Sequence, residues 1–506
     1  MLRQYWKTST AGYGLNEFLF SFYTAFILSA VYLVQILPAL GNRLAFPAWF
    51  CLFAFLFLLV SLASRTLFRK LFPLHLEPAP APLNRKQERI WFLCFFLAVL
   101  LCMLPWYLLY DPGWFTGDSE WQMSQALSHH YNDWHPALQT FLTFTLPLFL
   151  TGGWKGSVVL FQIAEYALAL AYMCTTFLKC GNRKYALASL ILIALNPLTG
   201  AIVKQPWKDV TLAIFSVLLM SYALRIFYDP LWLKKRTHFL LVATVFAVGT
   251  IVRHNAVLFT APLLLGILFL ADRNAARIRL LAAALVLFVL IKGPFYSLLG
   301  VDDPGRRSVE TLGLPMTVIG NVVKQDPGSL DDETLAFAYS VAAPEDWERY
   351  YFTGDFNSIK FTDACNTQPV NDAGPVRVLG YMLRCFRASP ARALEGLLSL
   401  TYMVYAVSGP INWTPEFFPP RIYSILNNSL FRYLSLYIGI PSFICLALTL
   451  SKLRLTSRGS WKKLFLIIPL FVHNWGTMLL LTGPDFRFFY STFPLSCVVV
   501  FLLLND

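Results

Sequence analysis

The sequence predicts an all-α polytopic membrane protein with about twelve transmembrane helices, and three observations carry that prediction. The 506 residues are 57% hydrophobic and only 14% charged, against roughly a quarter charged in soluble domains. Mean hydropathy is +0.56, and apolar runs long enough for a hydrocarbon core of about 30 Å recur along the chain. The basic residues gather in short clusters between those runs: "RTLFRK", "NRKQER", "KCGNRK", "WLKKRTH", "ADRNAARIR" and "SKLRLTSRGSWKK". Lipid offers the backbone no hydrogen bonds, so each crossing run must be a helix. The clusters follow the positive-inside pattern and mark cytoplasmic loops. They also account for the formal net charge of +13. Neither zinc-finger spacing nor a separate basic domain accompanies that charge, so nucleic acid is not expected as a partner.

Counting from the clusters sets the order of elements. Residues 1–70 form an N-terminal hairpin, with runs near 18–38 and 46–64 that start and end inside. The first run lacks a small-residue cleavage site, so no cleavable signal peptide is expected. A cytoplasmic linker, 71–90, contains "LEPAPAPLNRKQER", whose prolines and charges break the helix. The core, 91–300, opens with an outward run at 91–110, which places the loop 111–156 on the extracytoplasmic face.

Within that loop "HPALQTFLTFTLPLFL" is expected to be interfacial or re-entrant. It is short, Pro147 interrupts it, and a crossing here would put the following basic clusters on the wrong side. Runs 157–178, 185–202, 209–228, 239–252, 255–271 and 279–299 then alternate in direction. Residues 301–394 turn polar, as in "VDDPGRRSVE" and "APEDWERYYFTGDF", and are long enough for a small folded extracytoplasmic insertion. In 395–506, a stretch at 395–411 is expected along the outer face, or dipping into it. Three spans follow near 431–450, 464–482 and 488–504.

The nine cysteines show no CxxC pair, and most lie in apolar runs as small buried hydrophobes. Cys365 and Cys385 lie in the polar insertion, where an extracytoplasmic location leaves a disulfide open.

This threading gathers polar groups at the outer ends of helices: Asp111, Asp118, Glu120, Asp133 and His135 in the loop, then Lys204, Lys208 and Asp209 in "VKQPWKDV". Arg253 and His254 in "IVRHNAV", and Asp485 and Arg487 in "TGPDFRFF", complete the set. Ionisable groups beside membrane segments are costly and face cavities or partners. Their shared side is the signal, because scattered snorkelling cations would not agree. Each also has a plainer reading. Ser119 and Gln122 have capping-box spacing, so Asp118 could merely sit at a helix start. Asp111 precedes a proline, and Glu120 suits a first helical turn. The cations could seek lipid headgroups, or could hold a phosphate in a cavity.

The layout resembles the GT-C superfamily of integral-membrane glycosyltransferases, with protein O-mannosyltransferases and the aminoarabinose transferases of lipid A as the nearest in arrangement. It also resembles an uncharacterised group of bacterial membrane proteins with a "PDS…HP" loop. The mannosyltransferases carry Asp-x-His-Pro-Pro before a small apolar helix. Asp133, His135 and Pro136 match that pattern, and Ala137 departs from it. Asp118 in "TGDSEW" corresponds by position to the family's catalytic carboxylate, and Asp209 to an acidic residue that begins a later helix. The Asp-Glu doublet of the mannosyltransferases is absent, since "DSE" spaces the acids apart.

The resemblance implies a GT-C-like bundle that transfers a sugar from a polyprenyl-phosphate donor to a lipid, glycan or protein acceptor. Asp118 would be the base, with His135 or Glu120 positioning it. Lys204, Lys208, Arg253 or Arg487 would stabilise the leaving phosphate. A divalent metal is left open, because Asp118, Glu120 and His135 have no fixed ligand spacing. A bacterial plasma membrane with an extracytoplasmic site is the expected location. A transporter or flippase of lipid-linked sugars, or a non-catalytic partner in polysaccharide assembly, are the other classes this composition admits.

Overall fold

In the computed structural model, the N-terminal hairpin is formed by α1 (Gly14–Ile36) and α2 (Asn42–Leu71). The structure describes residues 14–76, 83–110, 113–270, 274–303, 308–406, 437–453 and 458–505, with Arg421 and Ser424. Among these residues every regular element is helical, and only isolated bridges pair extended backbone. Helix α3 (Arg85–Leu109) begins with a capping box from Asn84 and Gln87, so the basic "NRKQER" cluster is itself a helix start.

The loop holds α4 (Gly117–Ser128) and the short α5 (Ala137–Leu150). Then come α6 (Gly156–Lys179), the bent pair α7 (Arg183–Ala194) and α8 (Pro197–Val203), α9 (Lys208–Tyr228), α10 (Arg236–Ile251), α11 (His254–Leu270) and α12 (Ala276–Leu298). Asn196 and Pro197 explain the 61° bend between α7 and α8: proline cannot continue the ladder, and Asn196 caps the new helix at Leu198.

Among the described residues, seven helices are long and apolar enough to cross a membrane, or eight if the bent pair counts as one span. The chain is therefore a helical membrane protein. The apolar part of α9 is 83% buried, whereas those of α2 and α12 are 6% and 11% buried. Helix α9 is thus the central post, and α2 and α12 turn their sides to lipid.

Two ends of the bundle are distinguished by their contacts. At one end Glu88 pairs with Arg225 (2.6 Å) and Lys179 (3.1 Å), and Asn505 donates to the Cys180 carbonyl. These residues open α3 and close α9 and α6, so the basic clusters around them share that end. At the other end Gly156, opening α6, lies against the Tyr107 hydroxyl near the close of α3, leaving no room for a Cβ. Helices α3 and α6 are therefore antiparallel neighbours, and everything between them leaves and rejoins the same end. The 14 residues of α5 rise only about 21 Å. A π-helical turn at Phe141–Thr145 interrupts it.

Residues 309–393 supply a second apolar core containing Trp347, Tyr351, Phe356 and Ile359. Its main helices are α13 (Gly313–Gln325), α14 (Asp332–Val341), α15 (Pro344–Tyr350) and α16 (Gln368–Ala388). Trp347 donates to the Ala338 carbonyl and Tyr351 to that of Thr317, at 3.0 and 2.6 Å. Cys365 and Cys385 are both free thiols, so the disulfide left open by the sequence is not formed.

Helix α17 (Pro390–Tyr405) carries the first part of the stretch expected along the outer face or dipping into it: twelve of its sixteen residues are buried, and it packs against α2 and α13. Its amphipathic polar positions, Glu395 among them, turn to Asn321 and Arg392 within the second core, which removes the need for solvent. The rest of that stretch lies outside the described residues. Helices α18 (Gly439–Lys452), α19 (Arg458–Met478) and α20 (Thr492–Leu504) complete the bundle.

Candidate functional site

A cavity of about 1450 Å³ opens at the end of the bundle opposite the Glu88 cluster. The starts of α4, α9 and α11, the close of α12 and α19, and the second core's Asn357–Lys360 turn enclose it. A backbone bridge seals one corner: Asp302 donates to the Tyr131 carbonyl and accepts from Asp133, at 2.9 and 3.2 Å.

Asp118 stands in the first turn of α4, which starts without a side-chain cap. The anticipated Ser119–Gln122 capping box does not form. Ser119 is buried beside Thr116, and Gln122 turns instead to Gln139 and Thr140. Asp118 faces the cavity with Oδ2 3.3 Å from Arg487 Nη2. Burial alone would raise its carboxyl, but the positive charges of Arg487, Lys208 and Arg253 outweigh that and hold it below the usual carboxylate range.

His135 is 1% exposed, and its Nδ1 lies 3.0 Å from Lys208 Nζ. An ammonium can only donate, so Nδ1 accepts and Nε2 carries the hydrogen. Burial first, and Lys208 next, push this imidazole down to about 3, so it is neutral at physiological pH. Unfolded, the ring takes up a proton near 6.5 while the folded ring refuses it until about 3. Stability contributed here is therefore complete above pH 6.5 and falls as pH drops through that window. Thermal unfolding in detergent should show a melting temperature that declines from pH 6.5 to 4.5. Replacing His135 with glutamine should flatten the decline; an unchanged slope would place its origin elsewhere.

Behind these groups lies a buried ion pair. Asp209, 3% exposed in the first turn of α9, contacts Arg253 Nη1. Arg487 Nε is 3.9 Å from Asp209 and 2.7 Å from Asp485, and the guanidinium stacks 4.9 Å over the Trp207 ring. Asp485 also caps the turn at Arg487 through the backbone amide. Asp133 is held by two contacts. One oxygen accepts from the Ala137 amide (3.2 Å), starting α5, and the other meets Lys292 (2.7 Å). His254 Nε2 sits 3.0 Å from the Asp133 carbonyl.

The cavity wall therefore includes Asp118, Asp133, His135, Lys208, Arg253, His254 and Arg487, with Asp209 and Asp485 immediately behind it. Two expected members stand apart. Glu120 is exposed outside the cavity lining, because two residues along a helix from Asp118 turn the side chain by about 200°. Lys204 is buried against the Tyr110 ring, 3.0 Å from its centroid, with the Trp114 ring 5.3 Å away, and it is not among the residues that line the cavity. Asp111 lies outside the described residues.

The sequence reading missed Lys292, Glu310, Lys360 and the indoles of Trp121 and Trp134. Lys292 could have been found, since "VLIKGPF" puts a lysine inside an apolar run. It projects from a second π-helical turn, Ile291–Phe295. Glu310 and Lys360, paired at 2.6 Å, come from the second core and have no motif to announce them. Among the described residues, no three His, Cys, Asp or Glu side chains converge as a metal site. No family model, curated protein or solved structure matches the chain.

Proposed function

We propose that the chain is a GT-C-type membrane glycosyltransferase. It would move a sugar from a polyprenyl-phosphate donor to a lipid, glycan or protein acceptor. The observation that supports this best is one accessible carboxylate, Asp118, meeting the charges of Arg487, Lys208 and Arg253 in a large cavity at the ends of apolar helices. A hydroxyl acceptor is a weak nucleophile and needs a base at its proton. Asp118 accepts that proton as the acceptor oxygen bonds to the anomeric carbon. The bond from that carbon to the phosphate oxygen breaks, and the phosphate leaves with the electron pair toward the cations. A donor phosphate also competes for Arg487, which removes the strongest charge holding the Asp118 carboxyl down and makes it a better base.

In this reading about twelve segments cross a bacterial plasma membrane. The basic-cluster end is cytoplasmic, and α5 and residues 308–394 lie on the extracytoplasmic side with the cavity. A cysteine at Gly153, in a chain freed of native cysteines, should react with an impermeant maleimide on intact cells. Labelling only after permeabilisation would reverse the orientation. The test of function is transfer of labelled sugar from a polyprenyl-phosphate donor by purified protein in lipid nanodiscs, with Asp118→Asn alongside. Full activity in that variant would sink the assignment of the base.

A further inference from the structure

Trp121 and Trp134 stand on the cavity wall with their rings nearly parallel, 19° apart in plane and 6.2 Å between centroids. Trp121 is 45% exposed, one helical turn from Asp118. The His135 ring meets it edge-on at 5.9 Å and holds its orientation. Tryptophans that merely anchor a bundle sit in a belt at the membrane interface, whereas both of these indoles line the cavity. A ligand that covers this shelf must offer a flat apolar face.

The remaining wall shows what the ligand's other side carries. Asp118, Asp133, Asp302, Asp303 and Glu310 line the cavity in equal number with Lys208, Arg253, Lys292, Lys360 and Arg487. Asp118 pairs with Arg487, Asp133 with Lys292 and Glu310 with Lys360. The side-chain oxygens of Asn255 and Asn357, both lining residues, are buried and have no protein donor among the described residues. A polyanion would meet as many carboxylates as cations. A ring rimmed with hydroxyls, each able to donate and accept, matches such a balanced wall. A pyranose has both features: an apolar C–H face and a hydroxyl rim.

We propose that Trp121 and Trp134 form a carbohydrate subsite, stacking a hexopyranose on the indole shelf beside the Asp118–Arg487 pair. The inference deepens the transferase reading, and the placement of the anomeric carbon near Asp118 rests on that reading. The pyranose belongs either to the lipid-linked donor or to an acceptor glycan, and the chemistry of the shelf serves both.

The test is calorimetric binding by the full chain in lipid nanodiscs. The probes are farnesyl phosphate, its glucosyl, galactosyl and mannosyl phosphodiesters, and maltotriose. Trp121→Ala should weaken at least one glycosylated farnesyl phosphate by about 3- to 10-fold and leave farnesyl phosphate unchanged, with Trp121→Phe losing less. A loss confined to maltotriose supports the subsite and assigns the sugar to the acceptor. Equal losses for sugar-bearing and sugar-free probes would overturn the subsite, as would no loss for any sugar-bearing probe. A wild-type chain that binds no sugar-bearing probe overturns it as well. The readout is independent of turnover: a chain that binds sugar through Trp121 and transfers none keeps the subsite and loses the transferase reading.

Discussion

Asp118→Asn is expected to lower the proposed sugar transfer by about 10²–10⁴-fold, the usual contribution of a positioned general base, while the fold is kept. The substitution preserves shape and removes only the charge. Arg487 retains Asp485 at 2.7 Å, so no cation is stranded. Asp118 is also not a helix cap, so α4 loses no terminal hydrogen bond. The measurement is initial rate against donor concentration, with thermal unfolding run in parallel. A melting temperature within a few degrees of wild type, with lost turnover, is the expected pair. Turnover within tenfold of wild type would move the base to another group.

The second large effect concerns stability. Arg253→Met should cost about 3–5 kcal/mol, the range for removing one partner of a buried ion pair. The Asp209 and Arg253 side chains are 1% and 9% exposed, so the carboxylate left behind has no water to turn to. Arg487 cannot replace the lost partner, since its Nε is 3.9 Å from Asp209 and the guanidinium already serves Asp485 and Asp118. Adding Asp209→Leu should recover most of the loss, because replacing both charges with apolar groups is often neutral or stabilising. The double variant should fold yet remain impaired in phosphate binding. A single variant as stable as wild type in detergent unfolding would show that Asp209 is not held as a buried ion.

Much of the architecture was legible because hydrocarbon imposes so strict a condition on the chain. Apolar runs near 18–38, 157–178 and 209–228 appear as α1, α6 and α9 within a few residues. The reading of 137–150 as interfacial or re-entrant came from charge placement; the structure shows that the chain meets the close of α3 again at the Tyr107–Gly156 contact. The burial of helix α17 was not legible, because an apolar stretch looks the same whether lipid or the protein's own core covers it. The cavity residues were legible where motif and helix end coincide, as at Asp118 and His135. Lys360 and Glu310 were not, because each is an ordinary charge until the fold sets it 2.6 Å from the other.

Sequence alone determined the helical, membrane-compatible character of this protein and the helix ends at which its unusual charges collect. These follow from hydrophobic length and charge bias, which act segment by segment. Only the tertiary structure decided which of those charges meet. It set Asp209 against Arg253, freed Asp118 to face the cavity, and removed Glu120 and Lys204 from it. Pairing across a bundle depends on helix rotation and on contacts between residues such as Asp118 and Arg487, hundreds of positions apart, which no local pattern encodes.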